Sequence, residues 1–325
     1  MTPASFTRSV TASCALVLAV FPTQIVLAQQ VQNEQPQNEE PAADNSFGKG
    51  FFAEADLGVR YDSAVAVNQL DVVTREDDEA LRARIRIGYE ATLAEDTDVS
   101  VSYGLTQTTY EDFSEFDLQT HTLAAQASHD LGGARAGVSY RYIYARLDGD
   151  GLLNIHRVAP YVSGFIAKGL YARGELLYRD SDFVGQVERD NEALGGGIDL
   201  YWFTGGNKRY VSVGYDYRSV DAVDDQFDFN GHAFQARFSQ KFPLGSDEAQ
   251  FRAQYRYQLR DHTSITPQIG VEREDNRHRA IAEIEFPLNK WLALTARYSY
   301  FDFGSNLETV DYSQSLVDLT LESRF

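Results

Sequence analysis

The chain has 325 residues, with 29 Lys and Arg against 48 Asp and Glu, a net charge of −19. That acidity excludes a nucleic-acid-binding surface, which needs a basic footprint. An aromatic content of 13% excludes a disordered chain, because disordered segments lack the large residues that fill a core.

Residues 1–28 read as a secretory signal. A short start with Arg8 leads to an apolar run from Ala15 to Ala28, broken by Pro22, Thr23 and Gln24 and ending on Val26-Leu27-Ala28, small or modest residues of the kind a signal peptidase reads. A transmembrane anchor would need about 20 unbroken apolar residues. The single cysteine, Cys14, precedes the apolar run, so cleavage after Ala28 leaves a mature chain without thiols, disulfides or a cysteine nucleophile. Residues 29–47, rich in Gln, Asn, Glu, Pro and Ala, contain nothing that can fill a core and are expected to form a disordered periplasmic linker.

From residue 48 to residue 325 the chain alternates apolar and polar residues in segments of about ten to thirteen. In 211–218, Val211, Val213, Tyr215 and Tyr217 alternate with Ser212, Gly214, Asp216 and Arg218. Soluble sandwiches alternate too, but with strands nearer five or six residues; the longer segments suit strands tilted through a membrane. Fourteen strands are expected, near 51–61, 80–91, 98–110, 118–130, 135–147, 153–166, 170–180, 192–203, 208–219, 231–243, 249–260, 277–287, 291–302 and 313–325. The connections 93–97, 131–134, 167–169, 204–207, 244–248 and 287–290 are short. The others, including 62–79, 181–191, 221–230 and 261–276, are mostly longer and acidic. Short turns alternating with longer loops predict an all-β protein, an outer-membrane antiparallel β-barrel of about 14 strands in a Gram-negative bacterium, set among outer-membrane lipid and lipopolysaccharide.

Segment 313–325 is apolar at most alternate positions and closes on Phe325. This is similar to the insertion signal of outer-membrane barrels, so the barrel assembly machinery is an expected partner. If the apolar face meets lipid, the charged face lines the interior, because a charge at mid-membrane costs a few kcal/mol. Candidate pore-lining residues are Glu54 and Asp56, opposed by Arg82, Arg84 and Arg86 across the first hairpin as a paired ladder. A further candidate is a stripe of Arg237, Arg252, Arg256 and Arg279 on three successive strands. The stripe either steers anionic solutes or neutralises neighbouring acids and fills the pore.

Acids gather in the loops at 111–117, 180–190 and 221–228, without the spacing of a calcium loop; a solvated surface is expected. Six histidines are scattered along the sequence and no HExxH, GxSxG or P-loop occurs, so no enzyme activity, metal or cofactor is expected. His262 beside Asp261 is a pair that a strand points to opposite sides. Tyr61, Tyr110, Phe301 and Phe303, near strand ends, are expected in an interfacial girdle.

The opening strand and loop, Leu57-Gly58-Val59-Arg60-Tyr61-Asp62-Ser63-Ala64, resemble the YDSN-type start of the carboxy-terminal barrel of surface lipoprotein assembly modifiers. Pro160-Tyr161, the Lys168-Gly169-Leu170 turn and the closing Leu321 to Phe325 are similar as well, so the resemblance spans about residues 48–325. It implies a transport or translocation barrel with a surface lipoprotein client, and carries over no functional residue. The family's periplasmic helical repeats, about 34 residues each, have no counterpart in the linker. A passive porin-like diffusion channel and a closed structural or adhesive barrel fit the same strand pattern.

Overall fold

Long strands with two different faces satisfy their backbone at both edges only by pairing on each side, and a sheet without a free edge is a barrel. The computed structural model describes residues 50–206, 208–245 and 247–325; the predicted signal and linker lie outside the described residues. The strands are β1 (Gly50–Asp62), β2 (Ala66–Val67), β3 (Val72–Val73), β4 (Asp78–Ala94), β5 (Thr97–Tyr110), β6 (Leu118–Asp130), β7 (Arg135–Leu147) and β8 (Asp150–Ala167). They continue with β9 (Leu170–Phe183), β10 (Asn191–Thr204), β11 (Arg209–Ala222), β12 (Phe229–Leu244), β13 (Asp247–Thr266), β14 (Val271–Asn289), β15 (Leu292–Ser305) and β16 (Tyr312–Arg324). Fourteen of them pair antiparallel with their neighbours in sequence order, and β16 returns to β1 to close the barrel. β2 and β3 form a separate two-residue ladder inside the first loop.

The seam runs from Glu54 opposite Arg324 to Asp62 opposite Leu316. Beyond it, Phe325 donates its N–H to the Ala53 carbonyl at 2.8 Å and accepts the Ala53 N–H at 3.1 Å. Its ring stacks on Trp291. The terminal residue is thus the last rung of the closure.

Side chains follow the strand period of two. On β1, Glu54, Gly58, Arg60 and Asp62 are buried and face inward, while Phe51, Leu57, Val59 and Tyr61 are exposed on the outer wall. On β4, Arg82 and Arg84 face inward and Leu81, Ile85 and Ile87 outward. An outer wall of Val, Leu, Ile and aromatic residues around a charged interior is the pattern of a membrane-spanning barrel.

Gly50 and Arg324 lie at one end, the turn end, where chain reversals are short. At the opposite, loop end, four connections repeat one design: a three-residue 3-10 turn (Ser114–Phe116, Val187–Arg189, Asp225–Phe227 or Glu308–Val310) followed by an aspartate. Asp117, Asp190, Asp228 and Asp311 accept the backbone N–H of Tyr110, Phe183, Ala222 and Ser305, respectively. These acids are therefore structural caps, not merely solvated charge. The connection expected over 261–276 is also corrected: β13 and β14 pair through it and leave only 267–270 as a turn. The β-branched residues Ile265, Thr266 and Val271 extend the hairpin past a register shift after Asp261.

The aromatic girdle differs from expectation too. Tyr61 faces outward, but Tyr110, Phe301 and Phe303 are buried inside, in two apolar clusters at the loop end. Register decides this: Tyr110 lies opposite inward-facing Ala80, and Phe301 opposite Arg279. The outer girdle is built instead from a unit that recurs on three hairpins. Tyr140 on β7, Tyr215 on β11 and Tyr255 on β13 share hydrogen bonds of 2.9, 2.8 and 2.8 Å with Nδ1 of His156, His232 and His278 on the next strand. Two residues along, Tyr142, Tyr217 and Tyr257 donate to Oδ1 of Asn154, Asn230 and Asn276 at 2.9, 2.8 and 2.9 Å. A variant joins Tyr103 to His121 at 2.7 Å. Four of the six histidines, scattered in sequence, thus share one face and one recurring tyrosine partner.

Candidate functional site

Inside the barrel, arginines and carboxylates from different strands meet as buried ion pairs. Across the first hairpin, Arg84 pairs with Asp56 and lies 3.9 Å from Glu54, and Arg86 lies 3.7 Å from Glu54. Arg82 is opposite Gly58, which offers no side chain, so it turns to Asp318 at 3.4 Å. Asp318 also takes Arg60 at 2.8 Å, which ties the first strand to the last. The expected ladder therefore has two rungs, and its third arginine serves the seam.

Arg237, Arg252, Arg256 and Arg279 all face inward on β12, β13 and β14, but carboxylates interleave with them. Arg237 lies 3.7 Å from Asp199 and Arg256 3.0 Å from Asp216. Arg252 pairs with Glu283 and with Glu285 at 2.5 Å, and Glu283 also holds Arg297. Arg279 sets its guanidinium over the Phe301 ring, 5.3 Å from its centre. The stripe exists as a row of positions, and its charge is largely compensated. His262 points inward to the Gln226 carbonyl at 3.1 Å, while Asp261 is exposed.

The first loop, residues 63–77, does not stand in solvent. Ser63 stays paired to β16 through its backbone, and Val65 and Val67 are buried against Tyr110, Leu118, Ile143, Leu153 and Phe183 on the inner wall of β5 to β9. Burying two valines stabilises such a docked loop by about 3–6 kcal/mol before its ordering entropy is counted. The loop then crosses the mouth. Arg189, on the connection between β9 and β10, is separated from the loop's base by six strands one way round the ring and eight the other. It reaches Asp71 at 3.1 Å and the Gln69 carbonyl at 3.0 Å.

Arg273 on β14 reaches the other oxygen of Asp71 at 3.1 Å. Arg75 donates to the Glu308 carbonyl at 2.9 Å, and the Tyr312 hydroxyl bonds Asn68. Asp71 and Arg75 both adopt positive φ, 56° and 60°, a strain that non-glycine residues accept only when their surroundings enforce it. Burial pushes the Asp71 carboxyl up, but the guanidiniums of Arg273 and Arg189 outweigh burial and hold it below the ordinary carboxylate value of 3.8. The arrangement is a latch: one carboxylate, carried by an inward-folded loop, joins two walls of the mouth.

Sequence reasoning did not find Asp71, Arg189 or Arg273 as partners. The one cue available was Val65-Ala66-Val67, an apolar triplet in a polar loop with no lipid to face. Among the described residues, no group of three or more His, Cys, Asp or Glu side chains is gathered as a metal site.

The fold is similar to that of CdiB from Acinetobacter baumannii, with a TM-score of 0.51 and 12% identity over 84% of this chain; the match covers 60% of CdiB, so this chain spans less than two thirds of that protein. It is similar also to OmpT, an outer membrane protein of Vibrio cholerae, with a TM-score of 0.50 and 9% identity over 85% of this chain and 97% of OmpT. At such identity these likenesses show the architecture alone. No curated protein matches the sequence. Residues 113–306, more than half of the chain, match the family described as a protein of unknown function, DUF481, and the chain belongs to that family.

Proposed function

We propose that this protein is a transport pore of the Gram-negative outer membrane that is shut at rest by its first loop. The observation that carries the reading is Asp71, held by Arg189 and Arg273 on different walls of the mouth. A diffusion porin needs a standing aqueous path, whereas here a loop with buried valines crosses the opening and the inward arginines below it are packed against carboxylates. Arg60, Arg256 and Arg273 are each 4–5% exposed. The loop end faces outside the cell in this reading, and the rung made by Phe325 is the element the assembly machinery would engage.

The resemblance to assembly-modifier barrels extends the reading to a surface lipoprotein client. A barrel that passes large cargo must not leak between events, and a latched loop supplies that seal.

The test is conductance of the refolded chain in planar bilayers. The wild type is expected to show little steady current, and Asp71→Asn, which removes the charge that both arginines share, is expected to open it. A wild type with large steady conductance that Asp71→Asn leaves unchanged would overturn the gated reading in favour of passive diffusion.

A further inference from the structure

We propose that the outer wall carries three copies of a docking site for the phosphate of an outer-leaflet lipid, built on His156 with Asn154, His232 with Asn230, and His278 with Asn276. The proposal rests on the membrane placement above and is independent of the latch. In every copy, one tyrosine hydroxyl shares a hydrogen bond with Nδ1 of the imidazole and another donates to Oδ1 of the amide. In the tautomer in which the phenol donates to Nδ1, the ring proton sits on Nε2. What remains for a molecule outside the protein is donors: Nε2–H of the histidine and the two N–H groups of the asparagine. None of these has a protein partner among the described residues. The two residues are separated by one position on the same strand face, so their side chains emerge roughly 7 Å apart.

Depth selects the ligand. On β11 the outward residues run Val211, Val213, Tyr215, Tyr217 and then Ser219 and Asp221; on β14 they run Ile284, Ala282, Ala280, His278, Asn276 and then Glu274. Beside the unit on β7 and β8, the outward residues of β9 run Leu176, Tyr178 and then Asp180 and Asp182, so each unit lies where the wall changes from apolar to acidic, the level of lipid headgroups. Donors left open at that level are unmatched by hydrocarbon and complement the oxygens of a phosphate. Three recurrences of the same two residue types, each engaged by two tyrosines in the same way, argue for a purpose beyond interfacial anchoring, which tyrosine alone serves. Asp180 and Asp302 pair in register with His156 and His278 and would repel a bare phosphate. A divalent cation shared between carboxylate and phosphate oxygens removes that repulsion, so the lipid is expected to bind with magnesium present.

The test uses the full chain, folded in detergent with magnesium, incubated with the bisphosphorylated glycolipid lipid A or with the same lipid stripped of phosphate. Co-purifying lipid is quantified by mass spectrometry, and insertion into vesicles is measured in parallel. Retention of the phosphorylated form is expected to exceed that of the stripped form by about tenfold, the effect of one charge-assisted hydrogen bond. The triple variant Asn154→Asp, Asn230→Asp, Asn276→Asp keeps an acceptor for each tyrosine hydroxyl but replaces donors with negative charge, and is expected to lose the preference while folding. His156→Phe, His232→Phe, His278→Phe should do the same by removing Nε2. Equal retention of the two lipids, or a preference that survives both variants, overturns the proposal. Displacement of the lipid by inorganic phosphate at equal concentration would make this a site for a free anion and overturn it as well. A chain that fails to insert into vesicles sinks the membrane placement and the site with it, whereas one that inserts without phosphate preference sinks the site alone.

Discussion

Asp318 shows how a single residue can close a barrel. It receives Arg60 from the neighbouring strand and Arg82 from the strand beyond, and is buried to 2% exposure. Replacing it with Asn would leave two guanidiniums buried without their carboxylate, a loss of about 3–5 kcal/mol for a broken buried pair. The expected outcome is a barrel that inserts but unfolds at lower temperature, seen as an earlier loss of heat-resistant migration on gels. An unchanged transition would mean that water already reaches the pair. Asp71 makes the opposite kind of contribution, to position rather than closure. Its carboxyl is held below the ordinary value, so latch stability is present above that value and is lost as pH falls through the depressed one. Conductance of the wild type should thus stay low at pH 5 and rise only below the ordinary carboxylate range; opening already near pH 6 would point to histidine instead.

The repeated loop design is the informative element. A 3-10 turn closed by an aspartate sets where each strand pair ends, and the turn that ends in Asp190 also aims Arg189 at the first loop. Asp190→Ala removes one backbone-to-carboxylate bond, worth about 1–2 kcal/mol, and is expected to raise the frequency of brief openings without altering the conductance of the open state. β16 likewise ends on backbone bonds that hold it to its neighbour. Phe325 supplies two backbone bonds to Ala53 and a stacking contact with Trp291, so its deletion is expected to reduce membrane insertion, and normal accumulation of the truncated chain would argue against a role in closure.

Across the whole molecule, charge is paired inside and unbalanced outside: a net −19 chain buries many of its arginines in the barrel beside carboxylates such as Glu54, Asp216, Glu283 and Asp318, and carries further acids in its loops. Reversing Arg252 and Arg256 to Glu sets like charges beside Glu283, Glu285 and Asp216. In a channel opened by Asp71→Asn, this double change should shift the reversal potential toward cations. An unmoved reversal potential would assign these arginines to packing alone.

The sequence by itself determined the architecture. Alternation in β1, β4, β11 and β13 is read directly from residue types, because a strand has only two faces and lipid accepts only one kind, and an even strand count follows from turns and loops that alternate in length. It also brought Glu54 and Asp56 to face Arg84 and Arg86, since an antiparallel hairpin fixes its register locally. Only the tertiary structure decided what depends on closure or on register between distant strands. Arg82 turned to Asp318 because residue 58 has no side chain and the seam lies next to it. Tyr110, Phe301 and Phe303 went inside because one position of parity separates the two walls. His156, His232 and His278 came to share one tyrosine-bonded setting because three hairpins repeat a register that spacing along the chain conceals. Asp71 met Arg189 and Arg273 across 118 and 202 residues of chain, a contact that exists only once a closed ring has made opposite walls into neighbours across the mouth.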